Sequence, residues 1–200
     1  MRSDKELKRL QRKALLTFFQ DGLWDIFLGL FVIDWGVGLV IDLAYLSGIW
    51  LVALGFLVIG VKHWIIYPRT GYVKLGSGPV KVKLLTSFLV GLVALLGVLM
   101  MLLVGYDARP DWVSDYFPLI FSGMMALVIF TAAEWLGVRR FFIHAALVFI
   151  AGAVHQWGNI DWAYTFIAAG TIIVVIGAVI LAIFLKRNPK HPDRGTTLYA

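Results

Sequence analysis

The sequence predicts an all-α fold, a polytopic transmembrane bundle of six helices, and three observations predict it. The chain is 60% hydrophobic and only 15% charged, with a mean hydropathy of +0.86, whereas soluble domains carry about 25% charged residues. Its apolar residues gather in six runs, each near the roughly 20 residues a helix needs to cross the hydrocarbon core. Its basic residues fall on alternate connectors. A soluble domain of 200 residues has too small an interior to bury so much apolar surface; lipid removes that requirement.

In chain order, residues 1–20 form a cytoplasmic segment. Ser3-Asp4-Lys5-Glu6 reads as a capping box, and Leu7, Leu10, Ala14 and Phe18 follow at helical spacing with basic residues opposite. This predicts a short amphipathic helix lying on an anionic inner leaflet, or a docking surface for a cytoplasmic protein partner. Its basic, polar character does not fit a secretory leader. The transmembrane domain, residues 21–187, divides into spans Leu23–Ile41, Ile49–Ile66, Leu84–Gly105, Phe117–Leu136, Phe141–Trp157 and Ala163–Leu185. Residues 188–200 form a polar cytoplasmic tail.

Orientation follows from Lys and Arg, which are retained on the cytoplasmic side of short loops. With the N-terminus inside, 17 of the 18 basic residues lie on inner segments, and Arg109 alone lies outside. Five or seven spans would put a basic segment on the wrong face. The formal charge of +6 therefore reflects inner connectors rather than a nucleic-acid partner. The outer connectors are short, acidic and aromatic, as interfacial belts are. The longest inner loop, Tyr67–Pro79, is rich in Pro and Gly, which exclude helix. Arg69 and Tyr72 make it a second candidate contact for a partner or lipid headgroup.

Small residues recur seven apart: Gly22, Gly29 and Gly36; Gly48 and Gly55; Ala126 and Ala133; Ala145 and Gly152; Gly170 and Gly177. Such stripes let helices approach closely and predict a compact bundle that can also form homo-oligomers. The topology allows three tandem helical hairpins, 13–67, 80–140 and 141–187. Phe19-Gln-Asp-Gly-Leu-Trp-Asp and Tyr67-Pro-Arg-Thr-Gly-Tyr-Val-Lys resemble segments of uncharacterised prokaryotic six-helix membrane proteins. The hairpin layout is similar to that of HdeD-like acid-resistance membrane proteins. Neither resemblance implies catalytic residues.

Ionisable residues within spans cost roughly 2.5–3.5 kcal/mol each at the bilayer centre, so each needs a physical reason. Asp34 is the deepest, about 16 Å from the inner end of its helix, and His155 lies about 21 Å along its own. Either they pair as part of a proton or cation path, or Asp34 is a neutral hydrogen bonder between helices, its carboxyl kept protonated by desolvation. A second group gathers near the inner boundary: Asp21, Asp25, His63, Glu134 and His144. These acids are expected either to pair with Lys62, Arg139 or Arg140, or to join the imidazoles around a divalent metal. No other cofactor is expected. The absence of cysteine excludes disulfides and thiolate sites. Dihaem ligation lacks an outer partner for His155, and an alcohol-phosphotransferase signature lacks its Arg and outer acids. No Walker loop, nucleophile elbow or HExxH motif is present. Three functions remain in order: passage of a small solute or ion, non-catalytic scaffolding, and membrane enzymology at the inner boundary.

Overall fold

The computed structural model describes residues 19–41, 47–66, 69 and 111–189. Among these, all regular structure is helical: α1 Leu23–Val40, α2 Ser47–Val61 with a π turn over Lys62–Ile66, α3 Asp111–Leu136, α4 Arg140–Gly158 and α5 Trp162–Arg187. Four helices, α1, α3, α4 and α5, are long and apolar enough to cross a membrane. The span expected at Leu84–Gly105, the N-terminal amphipathic helix and Tyr72 lie outside the described residues.

The helix ends follow from local chemistry. Gly22 has φ +81°, a left-handed conformation open to glycine, and Asp21 Oδ1 accepts from the backbone N–H of Leu23 at 3.0 Å. Asp161 Oδ1 accepts from Ala163 N–H at 2.9 Å and starts α5. Gly137 (φ +68°) and Asn159 (φ +52°) turn the chain after α3 and α4. Helix α3 begins at Asp111, six residues before the apolar run that marks its span. Hydropathy sees only the apolar part of the helix. Pro118 stands inside α3, and the Ser122 hydroxyl donates to its carbonyl at 2.6 Å.

The closest packing joins the two helices farthest apart in sequence. Gly22 of α1 faces Gly177 of α5, Gly29 faces Gly170, and Gly36 faces Ala163. Seven residues forward on one helix meet seven back on the other, which is the register of an antiparallel pair. A Cβ added at Gly29 would lie 2.7 Å from the Gly170 carbonyl oxygen, and one at Gly170 would lie 2.7 Å from that of Gly29. The backbones therefore touch directly, and dispersion gains over that length replace a hydrophobic effect that lipid cannot supply. Helix α3 packs along α4, which in turn meets α5, and α2 rests on α1. Within the expected hairpins α1 meets α2 and α4 meets α5; α3 also pairs with α4 and α1 with α5 across hairpin boundaries, and the first span of the middle hairpin lies outside the described residues.

The core lies where α1, α3, α4 and α5 converge. Val32, Ala133, Val148, Phe166 and Ile173 are fully buried there, and Trp35, Phe121, Phe166 and Trp162 pack together, mostly edge-on or tilted, at centroid separations of 4.8–6.1 Å. Outside it, large apolar side chains are exposed: Phe56 and Ile59 on α2, Phe130 on α3, Ile150 on α4, Val175 and Val179 on α5. Aromatic residues mark both ends, with Trp64 and Trp135 exposed at one and Trp157 and Tyr164 at the other. This pattern is what a lipid-facing surface with interfacial rings requires.

Candidate functional site

At the end of the bundle where α1 and α4 begin and α2 finishes, four ionisable side chains are buried in an otherwise apolar interior, and Arg140 joins them from the edge. Asp21, Asp25, Lys62 and His144 are each 2% exposed or less. Asp21 precedes the first turn of α1, and Asp25 lies one turn further along the same face. The Gly177 backbone of α5 leaves room for it, since a Cβ there would meet the Asp25 Cβ at 2.9 Å. The π turn, which accommodates an extra residue per turn, buries Lys62 while its neighbours His63 and Trp64 remain exposed. Arg140 and His144 are four apart on α4, so both reach toward α1.

Two ion pairs result. Lys62 Nζ lies 2.8 Å from Asp21 Oδ2 and 5.6 Å above the Trp24 ring, a cation–π arrangement. Arg140 Nε lies 2.8 Å from Asp25 Oδ1, and its terminal nitrogen donates to the Phe19 carbonyl. His144 Nε2 meets the same Asp25 Oδ1 at 2.6 Å, and its ring lies 5.8 Å from that of Phe141. An oxygen held against a guanidinium, which can only donate, is an acceptor. His144 Nε2 therefore carries the hydrogen, and in the neutral ring Nδ1 carries the lone pair. Among the described residues, Asp25 Oδ2 and His144 Nδ1 are both buried without a hydrogen-bond partner. Such atoms cost roughly 1–3 kcal/mol each when left unmade.

The structure thus brings together three of the five residues singled out at the inner boundary, Asp21, Asp25 and His144, with both acids taking basic partners. It leaves out the other two. His63 and Glu134 are exposed, because each sits on the face of its helix turned away from α1. Among the described residues, no three His, Asp or Glu side chains converge on a metal position. Lys62 and Arg140 complete the group; their basic character placed them near the boundary, but only the π turn and the α1–α4 contact direct them inward.

Asp34 and His155 have separate surroundings. Asp34 is half-buried along α1. His155, expected to pair with it, meets the Ile160 carbonyl through Nδ1 at 2.7 Å, and its ring lies 6.4 Å from Trp162. With Asp115, Gln156, Asn159 and Asp161 it lines an open polar cavity of about 410 Å³ at the opposite end of the bundle.

Arg69, read from sequence as a loop contact for a partner, is engaged within the chain. Its guanidinium donates to the carbonyls of Leu185 at 3.3 Å and Asn188 at 3.2 Å, which are acceptors left over at the end of α5. Asn188 closes the same turn through Phe184 O at 3.0 Å. Removing the guanidinium by Arg69→Ala is expected to fray the last turn of α5, with amide hydrogen exchange around Leu185–Asn188 accelerating about 10-fold, as loss of about 1.5 kcal/mol of charged hydrogen bonding implies. Unchanged exchange there would mean that the turn holds without Arg69.

Compared with protein-family models, curated proteins and solved structures, the chain matches none of them.

Proposed function

We propose that this chain is a six-span membrane protein, with both termini on the cytoplasmic side, that passes a small ion across the bilayer through the Asp25–His144 site at its inner end. The observation that supports this reading most directly is the complete burial of Asp25 and His144, 2.6 Å apart, between helices long enough to span. The site joins α1 to α4, whereas direct glycine packing holds α1 to α5. Buried ion pairs are poor sources of stability compared with apolar residues of similar volume. Ionisable side chains inside spans that face the bundle mark ion and proton pathways. The polar cavity around His155 opens at the other end; Asp34 lies about 13 Å along α1 from Asp25 and on the opposite face.

The exposed apolar faces meet lipid in this reading, and the basic inner segments face an anionic leaflet. The test is reconstitution into liposomes under a potassium diffusion potential set by valinomycin, in buffer containing sodium, with a voltage-sensitive dye reporting decay. Wild-type vesicles are expected to lose the potential at least 10-fold faster than vesicles carrying Asp25→Asn. His144→Gln serves as a second variant should Asp25→Asn fail to fold. Equal decay in vesicles with and without the protein would end the proposal.

A further inference from the structure

The Asp25–His144 site also indicates which ion it takes, an inference that rests on the transport reading above. Three features of its surroundings bear on the choice. The first is charge. Among the described residues, two carboxylates, Asp21 and Asp25, are matched by two cations, Lys62 and Arg140. Arginine stays protonated in proteins. Helix α5 carries no Asp, Glu, His, Lys or Arg before Lys186, and Glu134 on α3 is exposed away from the site. An entering metal cation would therefore meet no net negative charge, since each carboxylate's attraction is opposed by a neighbouring ammonium or guanidinium.

The second feature is the supply of ligands. A dehydrated hard cation such as calcium needs six or more oxygen ligands. Asp25 Oδ1 is already shared by Arg140 and His144, and Asp21 Oδ2 is held by Lys62. Asp25 Oδ2 is the carboxylate oxygen left unpartnered by the described residues, and one oxygen does not make a cation site. The third feature is the imidazole. With its Nε2–H donated to Asp25, His144 presents the lone pair of Nδ1, which is buried and without a partner among the described residues. A proton needs one such atom.

We infer that the coupling ion is the proton, bound at Nδ1 of His144, with Asp25 as the counter-charge and Arg140 as the cation that competes for the same carboxylate oxygen. A hydronium ion of the aqueous phase gives its proton to Nδ1, leaving water, and an N–H bond forms. The resulting imidazolium pairs with the Asp25 carboxylate through Nε2–H. Release to water reverses the step and restores the neutral ring. Because Oδ1 serves both Arg140 and His144, charging the ring strengthens one claim on Asp25 and weakens the other. Proton binding is thereby tied to the contact that Arg140 makes between α4 and the chain at Phe19.

Two parallel flux measurements on the same proteoliposomes test this. Potassium-loaded vesicles with an entrapped pH dye are diluted into choline buffer with valinomycin, so that the proton is the permeant cation on the outside. In the second arm the external buffer holds radiolabelled sodium at the same potential. Internal acidification in choline, lowered at least 10-fold by His144→Gln in a protein that remains monodisperse, is the expected result. Sodium entry without acidification would overturn the proton assignment and leave ion transport standing. Acidification that persists in His144→Gln would overturn the role of the imidazole. Neither flux in wild-type vesicles would remove the transport reading together with this one.

Discussion

Replacing Gly29 by leucine is expected to abolish the folded bundle. The added Cβ would stand 2.7 Å from the Gly170 carbonyl oxygen and 2.7 Å from the Val174 amide nitrogen, and neither backbone atom can turn aside as a side-chain tip can. Inserting methylenes into a packed core ordinarily costs about 1–3 kcal/mol. Here α1 and α5 must also separate along the whole Gly22–Gly36 stripe, so the loss exceeds about 3 kcal/mol, a large share of a typical stability. Gly123→Ala is the control, since its Cβ would meet Phe149 at 3.9 Å, an ordinary contact. Size-exclusion chromatography and thermal unfolding in mild detergent read both: Gly29→Leu should yield no monodisperse peak, while Gly123→Ala should elute and melt within a few degrees of wild type. A well-folded Gly29→Leu would mean that the α1–α5 interface does not carry the bundle.

The second large effect is expected at Asp25. Asp25→Ala leaves the Arg140 guanidinium beside an apolar wall and removes the acceptor for His144 Nε2–H. Deleting one partner of a buried pair destabilises by about 3–5 kcal/mol because the other charge stays uncompensated. The same reasoning makes the combined variant Asp25→Leu, Arg140→Met, His144→Phe recover at least half of that loss, as apolar residues of similar volume dispense with the desolvation cost. Glu134→Gln, at an exposed member of the boundary group, should change stability by less than about 0.5 kcal/mol. Denaturant titration of the four proteins gives the comparison. Asp25→Ala as stable as wild type would show that the partly exposed Arg140 can turn outward and does not depend on the carboxylate. A combined variant that is stable but inactive in the vesicle assay would separate the ion site from the scaffold that holds it.

The seven-residue spacing of small side chains and the placement of Lys and Arg could be read before any coordinates. Gly22, Gly29 and Gly36 share a helix face by arithmetic alone, and so do Gly170 and Gly177. That these two stripes meet each other is a tertiary fact, because nothing local to either helix says which partner it will touch. The boundary acids show the same division. Asp21 and Asp25 stand four apart on α1, so their common face is written in the sequence, and basic residues nearby made pairing the ordinary expectation. Which base reaches which acid depends on the π turn that swings Lys62 inward and His63 outward. It depends equally on the approach of α4, which brings His144 and Arg140 onto one carboxylate oxygen. Glu134 sits at a similar depth by counting residues, yet the rotation of α3 about its axis turns it away.

Asp34 and His155 illustrate the limit of depth as a guide. Rise per residue gives height along a helix, but two groups at like height bond only if their helices are neighbours and their faces agree. His155 finds a carbonyl of its own following loop at 2.7 Å instead. Arg69 illustrates the converse, since a loop residue read for outside contacts serves the unpaired carbonyls of a helix more than a hundred positions later. Sequence by itself determined the helical class, the apolar runs, the alternation of basic connectors and the faces on which small and acidic residues lie. These are properties of single helices and of their transfer into lipid. Only the tertiary structure decided the α1–α5 register, the burial of Lys62 and the meeting of Asp25 with His144 and Arg140. Those are set by which helices touch and how each is rotated about its axis, quantities fixed jointly by contacts between segments distant in the chain.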